Sequence, residues 1–166
     1  MMHRNKLIII IFFILVAILL LILNTPTVLR TSPPNLGGER EGVLNINGRV
    51  FQTEIVKSKQ DIARGLSGRE SIDNNQAMLF VLPVKKTYVF WMKEMNFNID
   101  LLWIDGYEVV GFEKNMQALE NITADKDLPA YSSPQAVDKV LEIKAGSIDN
   151  LNIKVGDIIE FESKKF

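Results

Sequence analysis

The chain has 166 residues, 47% of them hydrophobic and 23% charged, and its 19 basic and 20 acidic residues leave a formal net charge of −1. Nucleic-acid-binding domains usually carry a basic surplus, so this balance argues against nucleic acid as a partner. Cysteine is absent, which excludes disulfides, thiolate metal sites and a cysteine nucleophile. The only histidine is His3. We therefore expect no Ser-His-Asp relay, no histidine-bound zinc and no cofactor in the folded part of the chain.

Near the N-terminus, residues 7–23 form an unbroken apolar run. At about 1.5 Å per helical residue this run spans roughly 26 Å, close to a hydrocarbon core of about 30 Å. Arg4 and Lys6 precede the run, and no positive charge follows it until Arg30. The positive-inside rule then predicts a single-pass cell-membrane protein with residues 1–6 in the cytoplasm and its C-terminal bulk outside. A cleaved signal peptide is the alternative, although the run is long for one and no small-residue cleavage site follows it.

The rest of the chain is predicted to be a linker and one β-rich domain. Residues 24–42 are rich in proline and glycine and show no hydrophobic period, which is typical of a linker. Residues 43–166 contain several short strand-like segments and no long amphipathic helix. This pattern predicts a mainly β fold, a compact antiparallel sandwich-like or barrel-like domain with short helical insertions.

Two dipeptides predict β-hairpins. Asn47-Gly48 separates strand-like segments 43–46 and 49–56, and it favours a type I′ turn because both turn positions need a positive φ. Asp105-Gly106 is expected to act in the same way. Its flanking strands are predicted at residues 101–104 and 107–110.

A short helix and further strands complete the predicted domain. Ser58 can cap the helix, Asp61 completes a variant capping box, and Gly65 ends the helix. The apolar runs at residues 77–82 and 87–92 are of strand length and dense enough to be covered on both faces. The C-terminal part adds strands at 140–143 and 157–161 and a helical turn around 147–151.

Six segments of the domain resemble the motifs of a known family. They are residues 64–69 (RGLSGR), 77–80 (AMLF), 90–95 (FWMKEM), 99–105 (IDLLWID), 131–134 (YSSP) and 141–146 (LEIKAG). In this order they are similar to the bacterial and archaeal family called domain of unknown function 192. The resemblance covers nearly all of residues 43–166. It implies a compact β-sandwich or barrel-like fold, commonly behind a signal peptide or an anchor, and no established activity, substrate or cofactor.

The charged residues of these motifs are candidates for ligand binding. Arg64, Arg69 and Lys93 are the residue types that hold an anionic group or a uronic sugar, and Asp100 can orient them by charge-assisted hydrogen bonds. The competing interpretation is a structural ion-pair cluster. In that interpretation Lys93 and Asp100 pair with each other across the base of the loop between them.

The tryptophans and methionines have a structural and a functional interpretation as well. Trp91 is a candidate because an exposed tryptophan stacks on sugar rings, but we expect both Trp91 and Trp103 to fill the core. Met78, Met92 and Met95 are expected to fill the core rather than bind Cu(I), because histidine and cysteine ligands are missing.

The sequence therefore favours a membrane-tethered, envelope-facing binding or assembly module, a non-enzyme in preference to an enzyme, with an envelope glycan or a protein as its partner. The alternative is a hydrolase that cleaves envelope glycans with two carboxyl groups. The carboxylates available for it are Glu94, Asp100, Asp105 and Glu108. Asp105 is already explained by its predicted turn, and Glu108 is expected to point outward, so the binding module is preferred.

Overall fold

The structure is a computed structural model that describes residues 40–119 and 125–163. These residues lie within one compact unit of the chain, Leu36–Phe166. Among them, no helix has both the length and the apolar character needed to span a membrane. The predicted membrane segment at residues 7–23 lies outside the described residues.

Strands dominate the described part of the chain. In chain order its elements are β1 (Arg40–Ile46), β2 (Arg49–Val56), α1 (Lys59–Arg64), β3 (Gln76–Lys86), β4 (Val89–Trp91), β5 (Ile99–Asp105), β6 (Glu108–Met116), a 3-10 turn (Asp125–Asp127), β7 (Ala130–Ser132), β8 (Val137–Lys144), α2 (Ser147–Asn150) and β9 (Glu160–Ser163). The predicted mainly β fold with short helices is confirmed. Strand β1 begins at Arg40, ahead of the boundary expected at Val43.

Seven of the strands form one mixed sheet in the order β6-β5-β8-β3-β2-β1-β9, and β4 pairs with β7 in a separate two-stranded sheet. Strands β2 and β3 are parallel, whereas the other paired strands are antiparallel. The prediction of a wholly antiparallel domain is therefore wrong at this pair. The reason is the connection, because α1 and the residues after it return the chain to the end of the sheet where β2 began.

The C-terminal segment bonds to one edge strand of the large sheet, β6, and forms the other edge as β9. Val109 of β6 donates its N–H to Asp157 at 2.9 Å and accepts one from Gly156 at 2.8 Å. Strand β9 follows and pairs with β1. Residues 157–159 were predicted to begin the last strand, but they bond to the start of β6 instead, and the strand begins at Glu160.

Apolar side chains pack on both faces of the large sheet. Leu102 and Ile104 of β5 belong to one cluster, whereas Leu101 and Trp103 belong to the other, so β5 is buried on both faces. This double burial explains why its sequence is continuously apolar. The methionines predicted to fill the core, Met78, Met92 and Met95, are buried together in the second cluster.

The two predicted hairpins are both present, and one differs in its turn. Asn47 and Gly48 have positive φ values of 51° and 78°, as a type I′ turn requires. In the second hairpin Asp105 pairs with Glu108, so the turn consists of Gly106 and Tyr107 rather than Asp105 and Gly106. Only Gly106 has a positive φ, at 62°, which suits a type II′ turn with glycine first.

Candidate functional site

A cleft opens between α1 with its following turn on one side and β4 on the other. Aromatic side chains from β3 and from the β4 region line much of it, and the carboxyl group of Glu142 on β8 also lines it. We call it the Glu142 cleft. Its cavity volume is about 220 Å³, and its lining residues are Ile62, Ala63, Arg64, Gly65, Leu66, Ser67, Phe80, Tyr88, Val89, Phe90, Trp91, Met95 and Glu142.

The wall formed by α1 is fixed by local hydrogen bonds. Asp61 donates its backbone N–H to Ser58 Oγ at 3.1 Å, which confirms the predicted helix cap. Gly65 ends the helix with φ 50°, and a Cβ added there would lie 3.3 Å from Phe80 Cζ and 3.9 Å from Glu142 Oε2. Glycine therefore satisfies both the positive φ and the close approach of this turn to the sheet.

The same turn is tied to the residues that follow β4. Ser67 Oγ donates a hydrogen bond to the backbone oxygen of Lys93 at 2.7 Å. Gly68 donates its N–H to the backbone oxygen of Glu94 at 2.9 Å. These two bonds hold the opposite walls of the Glu142 cleft at a fixed separation, so the cleft is formed without a ligand.

Glu142 is the unusual residue of the site. It is 6% exposed, and within the described part of the chain no hydrogen-bond partner reaches its Oε2 atom. Its neighbours across the sheet are Met78 on β3 and Leu101 on β5, both apolar. Burial raises the pKa of this carboxyl to about 8, and the positive charge of Arg69 opposes the shift only in part. Most Glu142 side chains are consequently protonated and neutral at pH 7.

Sequence reasoning missed Glu142. It stands between apolar neighbours in residues 140–143, a pattern typical of a half-buried strand with its glutamate in solvent. The glutamate does point away from the neighbouring apolar side chains, but the turn after α1 covers that face of the sheet. The one available signal was its place in the 141–146 motif, which carries a carboxylate inside a buried strand.

The two predicted arginines lie beside the cleft, and each is in an ion pair. Arg69 Nη2 lies 2.6 Å from Glu54 Oε2. Arg64 Nη2 lies 3.5 Å from Asp61 Oδ1, one turn earlier on α1. Arg64 lines the Glu142 cleft and, together with Arg69, an adjoining cleft over β2 and β3. Both guanidinium groups are thus brought to the site with their charges already compensated.

Trp91 lies in the wall of the Glu142 cleft and is 52% exposed. The expectation that it fills the core is wrong, because β4 is short and its alternation directs Phe90 inward instead. Phe90 makes edge-to-face contacts with Phe80 and Trp103, at centroid distances of 5.4 Å and 5.6 Å. Trp103 is fully buried, as predicted.

Lys93 and Asp100 do not form the predicted ion pair. Lys93 Nζ lies 2.7 Å from Asp125 Oδ2, whose hydrogen bond and charge raise the pKa of the lysine. Asp100 is 1% exposed and accepts hydrogen bonds from the backbone N–H groups of Asn115 and Ile148, both at 2.8 Å. Of these two candidates, Lys93 touches the site only through its backbone, and Asp100 connects β5 to β6 and α2.

This arrangement predicts no energetic coupling between Lys93 and Asp100. Lys93→Ala removes a surface ion pair and should leave the free energy of unfolding near that of the wild type. The double variant with Asp100→Ala should lose the sum of the two single losses, because the side chains share no partner. A double-mutant cycle by urea unfolding measures this sum. A clear departure from additivity would show that the two side chains interact.

Asp105 and Glu108, which were considered as carboxylates for glycan hydrolysis, lie outside the Glu142 cleft. Asp105 Oδ2 accepts a hydrogen bond from Lys85 at 2.7 Å, and Glu108 is exposed on β6. Across residues 40–119 and 125–163, no group of acidic side chains is arranged to hold a metal ion. Among the described lining residues of the Glu142 cleft, Glu142 supplies the one carboxyl group.

Comparisons with known proteins agree with the motifs. A solved structure from Novosphingobium aromaticivorans, of unknown function, is 24% identical and covers 73% of this chain and 83% of its own, with a TM-score of 0.61. A candidate transcription regulator from Sinorhizobium meliloti is 23% identical and covers 74% of this chain and 92% of its own, again with a TM-score of 0.61. Both likenesses concern the fold alone. No curated protein matches the sequence. The model of the uncharacterised family DUF192 matches residues 42–161, and the chain therefore belongs to that family.

Proposed function

We propose that this protein is a binding module whose ligand enters the Glu142 cleft, on a domain tethered outside the cytoplasm by residues 7–23. The observation that carries the binding function is the buried Glu142 carboxyl, whose Oε2 has no partner among the described residues. Leaving a buried polar group unpaired costs roughly 1–3 kcal/mol, so such groups are rare in native proteins. A ligand that supplies the missing partner accounts for retaining this group.

The shape of the cleft supports the same function. Ligand sites are usually preformed, largely apolar concavities with a small number of oriented polar groups. Here the hydrogen bonds donated by the Ser67 hydroxyl and the Gly68 N–H fix the walls, and the contacts of Phe90 fix the aromatic side. Trp91 also lines the cleft and is half-exposed, so its ring is accessible to a ligand.

Binding is favoured over glycan hydrolysis because of the carboxyl groups. Glycosidases generally use two carboxyls separated by about 5–10 Å, one on each side of the scissile bond. The described lining of the Glu142 cleft contains a single carboxyl, although its raised pKa is one that a general acid needs. Hydrolysis of envelope glycans stays the alternative prediction, and turnover abolished by Glu142→Gln would favour it.

The binding function can be tested with the full chain in non-ionic detergent. Ligand-observed NMR against a library of small amines, sugars and sugar acids should identify compounds that saturate. Trp91→Ala should weaken their binding, whereas Tyr107→Ala, which removes an exposed aromatic side chain outside the cleft, should not. If no compound saturates, or if both variants behave alike, the Glu142 cleft is not the binding site.

The tether makes a separate prediction about topology. Arg4 and Lys6 before the apolar run favour a cytoplasmic N-terminus, so the β domain should lie outside the cytoplasm. Protease added to intact cells with an opened outer barrier should degrade the domain and spare the membrane segment. A known external protein serves as the control. Protection of the domain while that control is digested would reverse the topology.

A further inference from the structure

We infer that the Glu142 cleft takes a small ammonium compound with apolar substituents, held by the Glu142 carboxylate and the surrounding aromatic rings. This inference rests on the proposed binding function, because it names the ligand class of the same cleft. Three features support it: the buried carboxyl oxygen without a partner, the ion pairs of the two arginines and the aromatic lining.

The cleft offers one buried side-chain polar atom that lacks a hydrogen-bond partner. Ser67 Oγ already donates to the backbone of Lys93, and the Tyr88 hydroxyl donates to the backbone oxygen of Val84 at 2.6 Å. Among the described lining residues, Glu142 Oε2 is the buried side-chain atom that has no hydrogen-bond partner. A sugar needs several oriented hydrogen-bonding groups, whereas an alkylated ammonium ion needs one anionic anchor and apolar walls.

An anionic ligand fits poorly because the two guanidinium groups beside the cleft are already neutralised. Arg69 is paired with Glu54 at 2.6 Å, and Arg64 is paired with Asp61 at 3.5 Å. Binding an anion would require breaking one of these pairs. A cation leaves both pairs intact and meets an unpaired carboxyl group. The Arg64 side chain is 47% exposed, so solvent screens its repulsion of the ligand.

The aromatic lining completes the match to an ammonium group. Phe80, Tyr88, Phe90 and Trp91 all line the cleft, and the Tyr88 ring already has Lys86 Nζ 5.0 Å from its centroid. The faces of aromatic rings are electronegative and attract cations, and sites that bind quaternary ammonium groups use several rings in this way. Methyl groups on the nitrogen spread its charge and reduce the loss of hydration on entering an apolar cleft. Met95 adds a polarisable side chain to the same wall.

Binding of such a cation should release a proton. Burial keeps the pKa of Glu142 near 8 in the free protein, and a positive ligand charge favours the ionised carboxylate. The carboxyl O–H bond breaks, its proton passes to the buffer, and the carboxylate pairs with the ammonium ion. Met78 on β3 and Leu101 on β5 lie across the sheet from Glu142, Arg64 lines the same cleft and is paired with Asp61, and Arg69, whose charge acts on the carboxyl group, is paired with Glu54.

Choline and its neutral isostere 3,3-dimethyl-1-butanol provide a matched test with the full chain in non-ionic detergent. Calorimetry should show saturable binding of choline and at least tenfold weaker binding of the isostere. Glu142→Gln should reduce the affinity for choline at least tenfold and leave the isostere unchanged. Choline affinity should rise about tenfold per pH unit below pH 8, and titrations in two buffers should report release of most of one proton at pH 7.

Several outcomes separate this inference from the proposed function. If the isostere binds as tightly as choline, or if Glu142→Gln keeps its affinity for choline, the cleft binds ligands but the ammonium assignment is wrong. Failure of choline to bind overturns the assignment too, while Trp91-dependent binding of other compounds would still support the cleft. Glycerophosphocholine distinguishes the source of the group: tighter binding than choline indicates a lipid headgroup, and weaker binding indicates a free amine.

Discussion

Replacement of Glu142 by glutamine is expected to remove a large part of the pH dependence of the domain's stability. Burial raises the pKa of this carboxyl from its ordinary value of 4.5 to about 8 in the folded protein. Between these values the folded state holds a proton that the unfolded state has released. The contribution of Glu142 to the stability should therefore be greatest below pH 4.5, fall as the pH rises, and level off above pH 8.

The expected effect is large for a single side chain. Each pH unit within the window corresponds to roughly 1.4 kcal/mol, which gives on the order of 5 kcal/mol across it. Glutamine keeps the size of the side chain and cannot ionise, so Glu142→Gln should match the wild type near pH 4.5 and exceed its stability at pH 8.

Urea unfolding of the full chain in detergent, followed by tryptophan fluorescence, measures this dependence. Trp91 and Trp103 are the two tryptophans of the chain and both lie in the β domain. Glu162→Gln, which changes an exposed glutamate on β9, is the matched control and should leave the pH dependence of the wild type in place. A Glu142→Gln profile that parallels the wild type would show that Glu142 is not buried as a neutral acid. The loss of stability above pH 5 is the cost of keeping a functional carboxyl group at the buried position of Glu142.

Local sequence chemistry predicted the parts of the fold that are local in origin. Asn47-Gly48 has one favourable conformation between two strands, and Ser58 needs only the amide of Asp61 to cap α1. The turn of the second hairpin lies one residue later than predicted, because Asp105-Gly106 and Gly106-Tyr107 both place glycine in the turn. Pairing with β8 and the irregularities between β5 and β6 then decide the register.

Features that depend on distant segments were not predictable in this way. Periodicity assigns side chains to a face of a strand, but it does not say which strands become neighbours or what covers the outer face. For that reason the parallel pairing of β2 with β3 was missed. The same limit applies to the site, since Trp91 became exposed and Glu142 became buried through the positions of β4 and of the turn after α1.

Lys93 and Asp100 show the limit most clearly, because closeness in sequence suggested a pair. Lys93 donates a hydrogen bond to Asp125, and Asp100 accepts hydrogen bonds from the backbone of β6 and α2. Their charge and their place in the family motifs made both residues candidates. In the folded domain, Lys93 makes a surface contact, whereas Asp100 occupies a buried structural position.

Asp100→Ala is expected to destabilise the domain by about 3 kcal/mol, because one buried and one partly buried N–H donor lose their acceptor, at roughly 1–3 kcal/mol for a buried donor. The affected amides are those of Asn115, which has a positive φ of 49° at the end of β6, and Ile148 in the first turn of α2. The N-cap of α2 is Gly146 and supplies no side-chain hydrogen bond, so the carboxylate from β5 provides the cap.

Two variants make the Asp100 test specific. Asp100→Asn keeps one acceptor oxygen but directs an NH₂ group at the second amide, so its loss of stability should be intermediate. Asp149→Ala, on the exposed side of α2, removes only the ion pair with Lys114 and should change little. Urea unfolding at one pH ranks the three. If Asp100→Ala is as stable as Asp149→Ala, the carboxylate does not hold α2 and β6, and a role for Asp100 outside the framework regains support. If the predicted order is found, Asp100 belongs to the framework that supports the Glu142 cleft, and Asp100→Asn should bind the ligand with unchanged affinity under conditions where it is folded.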